Sequence, residues 1–159
     1  EGDKLIGKVQ QEFLMEVDFM KKIKWAEFLA SNISNWAKEE LKREIKNFQL
    51  IKSWVVRQFK NDYNPVHWHS GDISGVGYLK VPSHLGKTYQ SEKKTNENGK
   101  LQLIFGSPNL FSKSTFLVKP ELGDFYLFPN YLMHTVYPFS GTDQERRSVS
   151  FNAKVEFFN

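Results

Sequence analysis

The stretch Asn64-Pro65-Val66-His67-Trp68-His69-Ser70-Gly71-Asp72-Ile73-Ser74-Gly75-Val76-Gly77-Tyr78-Leu79 decides how the chain is read. Asn64-Pro65 and Ser70-Gly71 are turn dipeptides. The segments they bound, Val66 to His69 and Ile73 to Val81, are short and rich in β-formers. Histidines at i and i+2 on extended backbone place both imidazoles on one face. Such a pair grips a borderline metal ion at two points. Trp68 stands between them, faces the other way, and reads as wall or core packing. The plainer reading, two ordinary satisfied histidines, stays open on spacing alone.

Working outward, the same short-strand grammar continues. Leu50 to Phe59, Leu101 to Phe105, Thr115 to Val118, Asp124 to Phe128, His134 to Tyr137 and Ser148 to Phe157 are further strands. Turn residues such as Asn98-Gly99, Gly106-Ser107-Pro108 and Pro129-Asn130 separate them, and Gly123-Asp124 is a turn into a strand. Many short strands at close spacing predict a sandwich or barrel. Residues 83–100 are one long polar stretch, carrying Lys87, Glu92, Lys93, Lys94 and Glu97, and are expected to form a mobile lid at the site mouth.

The first third has a different period. Leu5, Val9, Phe13, Val17 and Met20 recur at helical spacing, as do Ile33, Trp36 or Ala37, Leu41, Ile45 and Phe48. Ser34 and Asn35 occupy a possible N-cap. Trp25 and Trp36 are expected to anchor a core. The expectation is a single domain over 1–159, with residues 1–48 as helical support and 49–159 as the β core.

Composition narrows the function classes. With 159 residues, 40% hydrophobic and 25% charged, the chain has the make-up of a globular domain able to bury a core. No run approaches the ~20 apolar residues of a membrane span. Glu1-Gly2-Asp3-Lys4 carries no secretory pattern, and without an initiator Met it suggests a trimmed start. Zero cysteines exclude disulfides, thiolate zinc sites and a cysteine nucleophile, and fit a reducing cytoplasm. The net charge of +4 is spread along the chain: residues 1–60 hold 12 Lys/Arg against 9 Asp/Glu, residues 61–159 hold 10 against 9. Nothing is concentrated as a nucleic-acid face would require.

A third histidine, His134, opens a later strand. Twelve residues on comes Arg146-Arg147-Ser148-Val149-Ser150-Phe151-Asn152. Arg146 and Ser148 share a strand face, and a guanidinium beside a hydroxyl makes a carboxylate receptor. Arg147 must then point outward. For a lone Arg146 the default is a surface ion pair with Glu145 or Asp143. His84 lies in the polar stretch and reads as solvent-exposed or a lid contact, and Lys80 reads as surface.

Together these motifs resemble the Fe(II)- and 2-oxoglutarate-dependent oxygenases, in particular small bacterial and phage members with an Asn-Pro-x-His-x-His … Ser-Gly-x-x-Tyr-Leu pattern. The second half fits as well: Pro120-Glu121-Leu122-Gly123-Asp124-Phe125-Tyr126-Leu127-Phe128-Pro129, then His134, then Arg146-x-Ser148-x-Ser150-Phe151-Asn152. The resemblance covers roughly residues 50–155. It implies a mainly β fold with N-terminal helices, a double-stranded β-helix or cupin-like jelly-roll barrel. It further implies Fe(II) held by His67, His69 and His134. The 2-oxoglutarate would place its far carboxylate on Arg146 and Ser148, with Tyr78 hydrogen-bonding the co-substrate. With O2, such an enzyme hydroxylates a substrate and releases succinate and CO2. Most relatives carry Asp or Glu where this chain has His69, so Asp72 stands as the alternative ligand. Two other functions are carried alongside: a three-histidine metal dioxygenase without 2-oxoglutarate, and a non-enzymatic jelly-roll binding module.

Overall fold

The computed structural model describes residues 9, 11–88, 90 and 92–159. In chain order the elements are β1 (Gln11–Leu14), α1 (Val17–Lys22), α2 (Trp25–Leu41), β2 (Ile45–Gln58), β3 (Asn64–His67), β4 (Ile73–Lys80), β5 (Leu101–Ile104), β6 (Thr115–Val118), β7 (Phe125–Pro129), β8 (Met133–Val136) and β9 (Arg146–Phe157). The strands form two antiparallel sheets, β1-β2-β9-β4-β7 and β3-β8-β5-β6. Tyr78 and Val76 of the first sheet pack with Leu101, Val118 and Val136 of the second. The sheets therefore face each other across a shared interior, the sandwich or barrel that the strand spacing predicts and the jelly roll that the resemblance implies.

The larger sheet is two-faced, and its alternation can be followed strand by strand. Lys52, Trp54, Val56 and Gln58 in β2 oppose Asn152, Ser150, Ser148 and Arg146 in β9. Ser74, Val76 and Tyr78 in β4 continue those rows. These residues face the second sheet. The opposite set, Phe151 and Ala153 with Phe48, Leu50, Phe125 and Leu127, packs under helix α2 through Leu29 and Ile33. Gly75 and Gly77 lie on this helix side. A Cβ at Gly75 would sit 2.6 Å from a Phe151 ring carbon, and one at Gly77 would sit 2.4 Å from the Phe125 ring. The missing side chains make the room in which those rings lie. Trp25 and Trp36 join the same cluster, and Trp25 Nε1 donates to Ser53 Oγ at 3.0 Å.

Three expectations need correction. Gln11–Leu14 is a strand on the edge of β2, where spacing predicted helix; edge pairing with a long partner won over a weak helical period. Ile45 and Phe48 belong to β2, not to the helix, so the chain changes character after Leu41. Their helical spacing is imitated by register irregularities between Ile45 and Asn47 and between Leu50 and Lys52, each adding a residue to the strand. Ser34 and Asn35 lie inside α2, whose first residue is Trp25. Leu5 lies outside the described residues.

Candidate metal and co-substrate site

The interior between the sheets contains a cavity of about 160 Å3. His67, His69 and His134 stand at one part of its wall, and Gln58, Tyr78, Arg146 and Ser148 at another.

The histidine cluster comes from two segments held in register. His67 ends β3 and lies directly opposite His134 of β8. His69 lies beyond the end of β3, so the shared strand face expected for the pair extends only through His67. A backbone clamp replaces it. His69 N–H donates to Asn130 O at 3.2 Å, and Asn130 Nδ2 donates back to His69 O at 3.1 Å. Asn130 N–H in turn donates to Asp72 O at 3.0 Å. Gly71, at φ +103°, lets the turn pass close to β9: a Cβ there would lie 2.7 Å from Ala153 O. Trp68, expected as wall or core packing, is 67% exposed and stands among the residues lining the cavity.

The ring nitrogens of the three histidines lie within 4.8 Å of one another. His67 Nδ1 and His134 Nδ1 each meet a backbone carbonyl, Pro65 O at 2.6 Å and Leu132 O at 2.9 Å. A carbonyl only accepts, so both protons sit on Nδ1 and both Nε2 lone pairs are free. His134 Nε2 and His69 Nε2 are 3.2 Å apart. Without metal, a proton on His69 Nε2 bridges that contact; a divalent cation can take the proton's place. Burial, reinforced by the neighbouring imidazoles, lowers the His69 pKa to about 3 and the His134 pKa to about 4, and burial lowers that of His67. All three are thus neutral at physiological pH, the form that ligates. The donor set fits a borderline divalent ion. Asp72 is turned elsewhere: its Oδ2 accepts the Val155 N–H at 3.0 Å, and it is not part of the imidazole cluster. Its ligand role has no geometric support.

Arg146 is only 2% exposed. Its guanidinium lies 5.1 Å from the Tyr78 ring centroid, and its Nη1 donates to Gln58 Oε1. Among the described residues no carboxylate forms an ion pair with it, although Glu12 lines the same cavity. Glu145 is engaged by Arg57 at 2.7 Å, Arg147 at 2.7 Å and Lys80 at 3.6 Å, and Asp143 by Lys60 at 2.8 Å. The surface ion pair that a lone arginine would be given is therefore absent. Arg146 Nε is buried with no hydrogen-bond partner, and the buried Tyr78 hydroxyl has no neighbour to bond among the described residues other than the Arg146 guanidinium. Burial raises the Tyr78 pKa, with the Arg146 charge opposing, so the phenol stays protonated. Ser148 stands opposite both Val56 and Tyr78 and is buried.

A bulge at Leu79 keeps this part of the cavity from carrying a second cation. The register of β4 against β9 slips from Tyr78↔Ser148 to Lys80↔Arg147. Regular pairing would have set Lys80 opposite Arg146, facing inward. The extra residue turns Lys80 to the outer face beside Glu145. The described residues of 83–100, expected as a lid, are tied to neighbouring segments and lie away from the cavity. Leu85 O accepts from Asn98 Nδ2 and Ser140 N, Ser83 N donates to Gln144 Oε1, and none of the described residues in this segment lines the cavity. His84 is exposed and lies beside Gly141.

Sequence reasoning missed Gln58 and Asn130. Asn130 was legible only as a turn residue, and Gln58 only as a polar residue at the end of an apolar strand. No helix among the described residues is long and apolar enough to cross a membrane.

With the geometry in place, the similarities to known proteins can be weighed. The computed chain superposes on the viral collagen prolyl hydroxylase from Paramecium bursaria Chlorella virus-1 with TM-score 0.62 at 15% identity, over 96% of this chain and 83% of that one. A Pseudomonas putida prolyl-4-hydroxylase gives TM-score 0.57 at 13% identity, over 99% and 80%. HygX from Streptomyces hygroscopicus, solved with nickel and 2-oxoglutarate bound, gives 0.57 at 12%, over 94% and 73%. Identities this low speak for the fold, a double-stranded β-helix. Among curated proteins none matches in sequence. Residues 52–152 match the family described as "Putative 2OG-Fe(II) oxygenase", a span from β2 to β9 that includes all three histidines and Arg146. The chain belongs to that oxygenase family.

Proposed function

We propose that this chain is an Fe(II)- and 2-oxoglutarate-dependent oxygenase that hydroxylates an organic or protein substrate. The observation that carries the reading is Arg146: a buried guanidinium with no ion-pair partner among the described residues, lining the same cavity as three neutral imidazoles. An isolated buried charge is costly. A dicarboxylate with one end at the metal and the other at Arg146 removes that cost.

His67, His69 and His134 would hold iron. When bound, iron supplies the redox chemistry that couples O2 and 2-oxoglutarate to hydroxylation, with succinate and CO2 as co-products. The chain's own residues supply the rest. Pro65 O and Leu132 O fix the tautomers of two ligands, so Nε2 of His67 and Nε2 of His134 are unprotonated. Asn130 holds the His69 backbone from both sides. Arg146, Ser148 and the protonated Tyr78 hydroxyl bind and orient the far carboxylate. Trp54, Phe128, Leu101 and Val136 exclude water around these polar groups. The prolyl hydroxylase and HygX matches support the architecture and leave the substrate open.

Incubating the protein with Fe(II), 2-oxoglutarate and air tests the reading. Iron-dependent succinate release is expected. If metal binds and 2-oxoglutarate does not, the three-histidine dioxygenase without 2-oxoglutarate replaces it. If neither binds, the chain is a jelly-roll binding module.

A further inference from the structure

Gln58, the last residue of β2, is 2% exposed and stands directly opposite Arg146. Its Oε1 accepts a hydrogen bond from Arg146 Nη1. A guanidinium only donates, so the amide can take only one of its two flips. Its Nε2 is then a buried donor, and it has no partner. Arg146 Nε is buried and partnerless as well, and Gln58, Arg146 and Tyr78 all line the one cavity. Buried polar groups are almost always hydrogen-bonded. Two unmet groups that can only donate therefore line this cavity, beside a buried phenol that can donate as well. A carboxylate, which only accepts and has about four lone-pair sites, answers all three. A primary amide does not, because its NH2 would face further donors.

We propose that Gln58 is a co-substrate-binding residue that selects a carboxylate over an amide at the far end of the 2-oxo acid. The proposal rests on the reading of the cavity as a 2-oxoglutarate site. Gln58 acts in two ways: its oxygen fixes the Arg146 guanidinium, and its nitrogen donates to the ligand. Sites built on hydrogen bonding reject analogues strongly when the wrong analogue leaves buried groups unpaired.

The test is calorimetry on Mn(II)-loaded protein with two ligands, 2-oxoglutarate and 2-oxoglutaramate, the latter counted by its open-chain fraction because its amide closes onto the ketone as a lactam; the open chains differ only in a far carboxylate against a far primary amide. Gln58→Leu removes the donor and the anchor together; 2-oxoglutarate should weaken about ten- to a hundredfold, and the amide far less. Gln58→Glu puts an acceptor in the donor's place and neutralises Arg146. It should weaken 2-oxoglutarate more than a hundredfold and bring the preference close to, or past, the amide. Mn(II) affinity should stay parental in both variants, which shows that the fold and the imidazoles are intact. Parental 2-oxoglutarate affinity in both variants overturns the role of Gln58 and leaves the oxygenase reading standing. Equal weakening of both ligands also overturns it, since Gln58 would then merely support Arg146. A parent protein that binds no 2-oxoglutarate overturns the oxygenase reading itself, and this proposal with it.

Discussion

Arg146 and Arg147 are neighbours on β9 with the same side chain, and their surroundings are opposite. Arg147 faces outward and donates through Nε and Nη2 to Glu145 at 2.7 and 2.9 Å. It stands in a cross-strand row with Gln11, Arg57 and Lys80. Hydrogen bonds from Arg147 and then Arg57 hold the Glu145 pKa down to about 2. Arg146 faces inward, with one amide, one tyrosine ring and, among the described residues, no ion-paired carboxylate. Strand alternation gives each arginine its side, and the bulge at Leu79 sends the nearest lysine to the saturated face. What marks a ligand site is therefore the pattern of pairing. Two identical residues one position apart carry opposite meanings because one charge is already answered and the other is not.

The comparison can be pressed from its strongest expected effect downward. On the inner face, His134→Ala removes one of three anchors. Mn(II) or anaerobic Fe(II) affinity should fall more than a hundredfold, since loss even of a ligand's supporting partner typically costs about 10–100-fold. Titration of the variant against the parent reads this directly, and parental affinity would mean the cluster is not a metal site. On the outer face, Arg147→Ala should leave 2-oxoglutarate affinity unchanged. It should cost less than about 1 kcal/mol of stability at neutral pH, because Arg147 itself is 40% exposed and Arg57 still holds the buried Glu145. The pH dependence has a definite sign. Glu145 has its pKa lowered from 4.5 to about 2, so below pH 4.5 the unfolded chain takes up the proton first. Its contribution is complete above pH 4.5 and is lost as pH falls toward 2. The stability gap between parent and Arg147→Ala, from urea unfolding at several pH values, should therefore shrink across that window. A gap that stays constant in acid would show that Glu145 is not the partner that matters.

Much of this was legible in the sequence because period-two spacing is local. The Arg146, Ser148 and Ser150 row and the outward Arg147 follow from alternation within one strand. The strands themselves were placed to within a few residues from their turn signals. The unread parts depend on pairing between distant segments. Phe13 sits in a strand because β2 extends past it, and nothing in residues 11–14 alone says so. Bulges at Ile51 and Leu79 shift which face a residue takes, and a pattern of side-chain types does not reveal them. Asp72 looked like a ligand by proximity in sequence, yet its carboxylate serves the Val155 amide across the turn. Gln58 became visible only once its partner was known, because a glutamine has meaning there only opposite Arg146.

The central claim is that the unanswered charge of Arg146 exists for a carboxylate. The most direct measurement is calorimetric binding of 2-oxoglutarate to the Mn(II)-loaded parent, Arg146→Ala and Arg147→Ala proteins. Loss of a buried charged pair costs about 2–5 kcal/mol, so Arg146→Ala should weaken binding by about thirty- to several-thousand-fold, while Arg147→Ala binds as the parent does. Equal affinity in the parent and Arg146→Ala would contradict the account.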